Sequence, residues 1–84
     1  MPRYFFHISD GERIARDDDG LELRDDERAR TEGLRALGEI VKEELPHGDR
    51  RAFRIMIRDT ANAEIYEASL SFKGQWLMPT WART

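Results

Sequence analysis

The chain has 84 residues, of which 39% are hydrophobic and 37% charged, with a formal net charge of −3 and no cysteine. That length predicts one small domain, burying roughly 60–65% of its unfolded surface. The lack of cysteine excludes disulfides, thiolate zinc sites and cysteine nucleophiles within the chain, and mixed charges with 10% aromatics describe a folded, well-solvated domain rather than a disordered one.

Arg3 to Ser9 reads as a strand. Alternation puts Tyr4, Phe6 and Ile8 on one face and Phe5, His7 and Ser9 on the other. Asp10-Gly11 is a turn signal. Arg13–Arg16 reads as a short return strand, Asp17-Asp18-Asp19-Gly20 as a solvated loop, and Leu21-Glu22-Leu23 as a brief edge strand. Arg13, Arg16 and the three aspartates come too early for the apolar stretch of a signal peptide. No run approaches the roughly 20 apolar residues of a membrane span, so the cytoplasm is the expected compartment.

Asp25 or Asp26 is the expected N-cap of a helix running to about Leu45, with Glu27 adding to the negative charge that a helix start favours. Leu34, Leu37, Val41 and Leu45 fall in one stripe about 80° wide, with Ile40 on its flank. Arg28, Glu32, Arg35, Glu39, Lys42 and Glu43 lie opposite. Arg30 projects near the stripe in the first turn, where its stem can cover apolar surface while its head reaches water. Gly33 and Gly38 each cost about 1 kcal/mol relative to Ala. They either allow a close approach to a sheet or are tolerated weak points. Pro46 and Gly48 end the helix.

The second half reads as a β-hairpin. Phe53, Ile55 and Ile57 alternate with Arg54, Met56 and Arg58; 59–64 holds the turn; Tyr66, Ala68, Leu70 and Phe72 alternate with Ile65, Glu67, Ser69 and Ser71. One apolar and one mixed face is the pattern of an antiparallel sheet covered on one side. The expected core is Phe6, Ile8, Leu34, Leu37, Val41, Phe53, Ile55, Ile57, Leu70 and Phe72. The predicted domain is 1–73, followed by a tail, 74–84, that carries both tryptophans, Trp76 and Trp81.

The charge is uneven. Residues 1–45 hold 8 basic and 13 acidic side chains, and residues 46–84 hold 6 and 4. Net acidity disfavours general nucleic-acid binding, which needs clustered positive charge. Twelve of the 14 basic residues are Arg, a bias that fits either recognition of carboxylate or phosphate or the codon usage of a GC-rich genome.

The opening Met1-Pro2-Arg3-Tyr4-Phe5-Phe6-His7-Ile8-Ser9-Asp10-Gly11 resembles the start of a family of small bacterial proteins that begin M-P-R-Y-F-F-H-x-x-D-G. Asp19 to Asp25 is similar to that family's second block, acidic-Gly-apolar-Glu-apolar, and Ala29 to Ala36 to its Ala- and Glu-rich helix start, with Gly33 where alanine is more usual. The resemblance covers roughly residues 1–72 and does not reach the Trp-bearing tail. The family has no assigned activity, so the resemblance implies no catalytic or ligand residue.

His7 shares its predicted face with Arg54 and Arg58, a combination able to bind an anion or shift a proton. Catalysis also needs a group to orient it, and no motif supplies one. The plainer expectation is a histidine hydrogen-bonded within the fold. An EF-hand alignment of the acidic loop puts Gly20 at position 6 but leaves Ala15 at position 1, without a ligand. His7 and His47 form no metal-binding pair. Phosphate loops, nucleophile elbows and dinucleotide fingerprints are missing. No metal or cofactor is expected.

What remains is a sheet face with Phe5, His7, Arg54, Met56, Arg58, Ile65 and Glu67. Aromatic, Met and Arg side chains are enriched at protein interfaces; the same mixture can stack RNA bases; or the Trp76–Trp81 tail can fold back and cover it, burying at least one indole. The expected fold is α+β, two-layer, with an antiparallel sheet of three to four strands and one amphipathic helix on one face. The expected function is non-enzymatic: a protein-interaction module or self-associating protein using that face, through Phe5, His7, Arg54, Met56, Arg58, Trp76 and Trp81. The alternative is a nucleic-acid-binding or toxin–antitoxin-like regulator, by analogy of fold.

Overall fold

The period-two stretches become strands and the 3.6-period stretch becomes the helix. In the computed structural model, which describes residues 1–83, the elements are β1 Arg3–Ser9, β2 Ile14–Ala15, β3 Leu21–Glu22, α1 Asp26–Glu44, β4 Arg50–Arg58 and β5 Glu64–Lys73. Short 3-10 turns follow at Leu45–His47 and Thr80–Ala82.

The strands form one antiparallel sheet of order β2-β1-β4-β5, and β3 also pairs with β1. β4 pairs Ile55 with Ile8 and Ile57 with Phe6 on one side, and Phe53 with Leu70 and Ile57 with Tyr66 on the other. The outer edge of β1 is shared: Arg3 and Tyr4 pair with β3, Ile8 and Ser9 with β2. Between these short partners the Phe6 N–H donates to the Asp17 carboxylate at 3.2 Å. Five strands and one helix on a single face complete the α+β fold.

The Asp25 carboxylate caps α1 by accepting from the Arg28 N–H at 2.8 Å. Its buried residues are Ala29, Gly33 and Leu37, spaced four apart. They pack with Tyr4, Phe53, Ile55 and Ile57; Phe6, Ile8, Ile40, Val41 and Leu45 border that cluster. The helix thus docks on its small residues, rotated from the stripe expected through Leu34, Leu37, Val41 and Leu45, of which Leu34 is only half-buried. A methyl group at Gly33 would stand 2.9 Å from Ile57 Cδ1 and 3.2 Å from Phe6 Cε1, so this glycine permits the close approach. At Gly38 the space is open, and that glycine is a tolerated weak point.

Three core expectations need correction. Leu70 is 49% exposed, because α1 docks chiefly over β4 and leaves the far strand uncovered. Tyr4 is buried at 2% exposure, since its hydroxyl donates to Asp26 Oδ1 at 2.7 Å at the helix start. That bond, with partial desolvation and the surrounding carboxylates, pushes its pKa up to about 12. Ile65 packs against the core rather than on the open face. A bulge between Ile57 and Arg58 inserts it as an extra residue in the β4–β5 ladder.

Arg51 closes the other end of the core. Its guanidinium donates to the Glu44 carbonyl at 3.2 Å, lies 3.6 Å from the Asp10 carboxylate and 3.7 Å from that of Glu44, and covers the Phe53 ring at 5.2 Å. One side chain ties the β1–β2 turn, the last helix turn and β4 together. At the opposite corner Arg30 stacks on Tyr66 at 5.6 Å and donates to its hydroxyl at 3.3 Å, so its stem does cover apolar surface.

The tail leaves the sheet at Gly74, whose N–H is bonded to the Asp49 carbonyl at 2.7 Å. It does not fold back. Trp76 is 74% exposed, Leu77 94% and Trp81 84%. The expectation of a buried indole within one chain fails.

Candidate functional site

The face of the sheet away from α1 is built by register. Phe5 pairs with Arg58, His7 with Met56 and Ser9 with Arg54; on the other side of β4, Met56 pairs with Glu67 and Arg54 with Ser69. Five of the seven expected residues, Phe5, His7, Arg54, Met56 and Arg58, therefore meet. Trp76 and Trp81 lie on the projecting arm, apart from them.

A groove of ≈ 380 Å³ runs over this face, with Met56, Ile8 and Ile14 as its apolar part and His7, Arg16, Arg54, Arg58 and Glu64 as its polar part. A second hollow of ≈ 400 Å³ shares His7, Arg16 and Arg58 and continues to Phe5, Asp17 and the β4–β5 turn. The sequence reading missed Ile14 and Arg16. A two-residue strand is too short for alternation to detect, and only its pairing with Ile8 and Ser9 brings both residues to the groove.

Two of the groove's three arginines, Arg54 and Arg58, are engaged. Arg54 lies 2.6 Å from the Glu67 carboxylate, and Arg58 lies 3.1 Å from Glu64 and also donates to the Asn62 carbonyl. Such half-exposed pairs fix side-chain positions more than they stabilise the fold. His7 is half-buried, and among the described residues its side chain has no hydrogen-bond partner. This corrects the expectation of an internally bonded histidine: the Asp17 carboxylate lies near the imidazole, but its oxygens are taken by the N–H groups of Gly20, Asp19 and Phe6.

The acidic loop is a structural device. Asp17 Oδ1 accepts from the Gly20 N–H at 2.9 Å and the Asp19 N–H at 3.1 Å, while Oδ2 takes Phe6. Partial burial pushes this carboxyl up, but the bonds from Gly20, Phe6 and Asp19, with the charge of nearby His7, outweigh it and hold the pKa below its ordinary value. Gly20 sits at φ +75°, and a methyl group there would meet Phe5 Cε1 at 2.9 Å, so the loop needs glycine. Among the described residues no three His, Asp or Glu side chains are grouped as metal ligands, and no helix is long and apolar enough to cross a membrane.

No curated protein and no solved structure matches the chain. One family does, over residues 3–71, a span that takes in the whole groove-bearing face and stops short of the arm. The chain belongs to the family described as Domain of unknown function (DUF6894).

Proposed function

We propose that the protein is a non-enzymatic interaction module whose working surface is the open sheet face. The observation that carries this reading is the groove itself. It combines an apolar floor at Met56 and Ile14 with a rim of Arg16, Arg54, Arg58 and His7, the residue types that serve protein contacts. The fixed Arg54–Glu67 and Arg58–Glu64 pairs offer a docking peptide both signs of charge in set positions. The same pairing weighs against a phosphate backbone as ligand, because counterion release needs cations not already neutralised. Among the described residues no hydrogen bond orients His7 as a general base would be oriented, which weighs against catalysis.

Display of short random peptides, selected on dilute protein, tests the reading. Aromatic-bearing peptides should be enriched, and their binding should be lost in Met56→Glu and weakened in His7→Ala. Enrichment of nothing, or of peptides that bind both variants as well as the parent, would remove the sheet face as the working surface.

A further inference from the structure

The C-terminal arm leaves one end of β5, and the groove runs from the middle of that strand, where Arg54 pairs with Ser69, to its other end at Glu64. The arm carries Trp76, Leu77, Met78 and Trp81, all at least half exposed, and from Gly74 to Thr84 its one charged side chain is Arg83. The groove presents Arg16, Arg54 and Arg58 around Met56, and guanidinium groups favour the faces of indoles. The arm suits the groove chemically, but only the near part of its own groove is within reach. Arg54 is in register with Ser69, five residues up β5 from Gly74 and about 17 Å away, whereas Glu64 lies ten residues up, about 33 Å. The eight residues from Gly74 to Trp81 span at most ~25 Å when fully extended, and the 3-10 turn at Thr80–Ala82 shortens them.

A second copy removes this mismatch. Among the described residues the outer edge of β5 pairs with no strand, and its ten residues contain no proline to block pairing. Two such edges joined antiparallel about a two-fold axis through Ser69 keep both helices on one side of the joined sheet. That register sets Ala68 opposite Leu70 and Tyr66 opposite Phe72, covering the apolar strip that α1 leaves exposed. It places Glu67 diagonal to Lys73 and sets Gly74 beside Glu64 of the second copy, at the mouth of its groove.

We infer that the protein forms a two-fold dimer through β5, in which each C-terminal arm crosses to the other copy and lays Trp76 and Trp81 against the groove of Met56, Arg54 and Arg58. The inference rests on the sheet face being a docking surface, and it names the occupant as a second copy of this chain. The area is sufficient. With roughly 150 Å² on each exposed indole, four indoles and the surfaces they cover remove on the order of 1,200 Å², the lower bound of a specific interface, before Leu77, Met78 and the strand edges are added.

Sedimentation of the full chain up to about 100 µM, a range wide enough to reveal an interface of this size, with tryptophan emission followed in parallel, tests it. A dimer with blue-shifted emission is expected. Trp76→Ala/Trp81→Ala and Met56→Glu should each weaken it at least tenfold while keeping the parent's circular dichroism. Mixing the two variants should restore heterodimers, since one arm and one groove remain intact. A dimer indifferent to both variants overturns the arm exchange, and so does a monomer with water-exposed emission throughout. A monomer that still selects peptides on its sheet face retires the arm exchange alone; one that selects none retires the docking surface with it.

Discussion

Two glycines in one helix have opposite roles, and the difference lies in what a single methyl group would meet. At Gly38 it meets nothing within 4 Å, so Gly38→Ala should stabilise by about 1 kcal/mol through helix propensity. At Gly33 it would press on Ile57, Ile55 and Phe6 at 2.9–3.2 Å, and both isoleucines are fully buried, with little room to give. Gly33→Ala should cost about 1–3 kcal/mol of overpacking, reduced by the propensity gain. Urea unfolding of the pair should shift the midpoints in opposite directions. Titrating groups set the pH limits in the same local way. The Asp17 carboxyl is held below 3.8, so its stabilisation is complete above that pH and is lost as pH falls through the lower folded value. Tyr4 is raised from 10.0 to about 12, so its contribution is complete below pH 10 and is lost as pH rises toward 12. Unfolding midpoints should therefore fall at both ends of the pH range. Tyr4→Phe should flatten the alkaline limb and Asp17→Asn should flatten the acid one in part, since the Arg13 and Glu12 N–H groups also hold the Asp10 carboxyl below its ordinary value; an unchanged limb in either variant would show that its group is not among those titrating.

At the level of the elements, the strands and the helix were legible because large apolar side chains recur at two and near 3.6 residues. The seating of the helix was not. Its closest contacts are made by Ala29 and Gly33, side chains too small to stand out in any hydrophobic pattern, so a stripe drawn through Leu34 is rotated from the true one. Leu37 belongs to both readings and is 2% exposed; Leu37→Ala should cost about 2–5 kcal/mol, much of the stability of a domain this small. Arg51 was invisible for a different reason. Asp10 is 41 residues from it and Glu44 seven, across the end of the helix, and the two converge only when β4 lies between the first turn and the helix end. Arg51→Ala should cost about 2–3 kcal/mol, because it strands two carboxylates and a helix-terminal carbonyl. Arg51→Lys should recover little, since a point charge cannot bridge both sides as a planar guanidinium does. Thermal or urea unfolding of the two variants checks this, and full rescue by lysine would reduce the clamp to simple charge. The candidate face was legible on β1 and β4, where alternation is long. It was misread at Ile65, because a bulge breaks the period there and no single residue type announces it.

For the whole molecule, the arm decides the shape. The chain measures 57 × 20 × 17 Å with a radius of gyration of 16.3 Å, against about 12 Å for a compact chain of this length. The tail's apolar character was legible. The groove proposed to receive it was not, because its residues are spread over β1, β2 and β4 and meet only in the folded sheet. Since the arm buries little against its own chain, its removal has two separable consequences. Truncation after Lys73 should leave the unfolding free energy of dilute, monomeric protein within about 0.5 kcal/mol of the parent, as for a change at the surface, while the radius of gyration falls toward the compact value. At higher concentration the full chain alone should gain stability as association draws on the folded state. Unfolding midpoints measured for both chains across a range of concentrations would show this as a rising line for one and a flat line for the other. A truncated chain already destabilised at high dilution would mean instead that the arm supports its own sheet, and that the extended form is not the one present in solution.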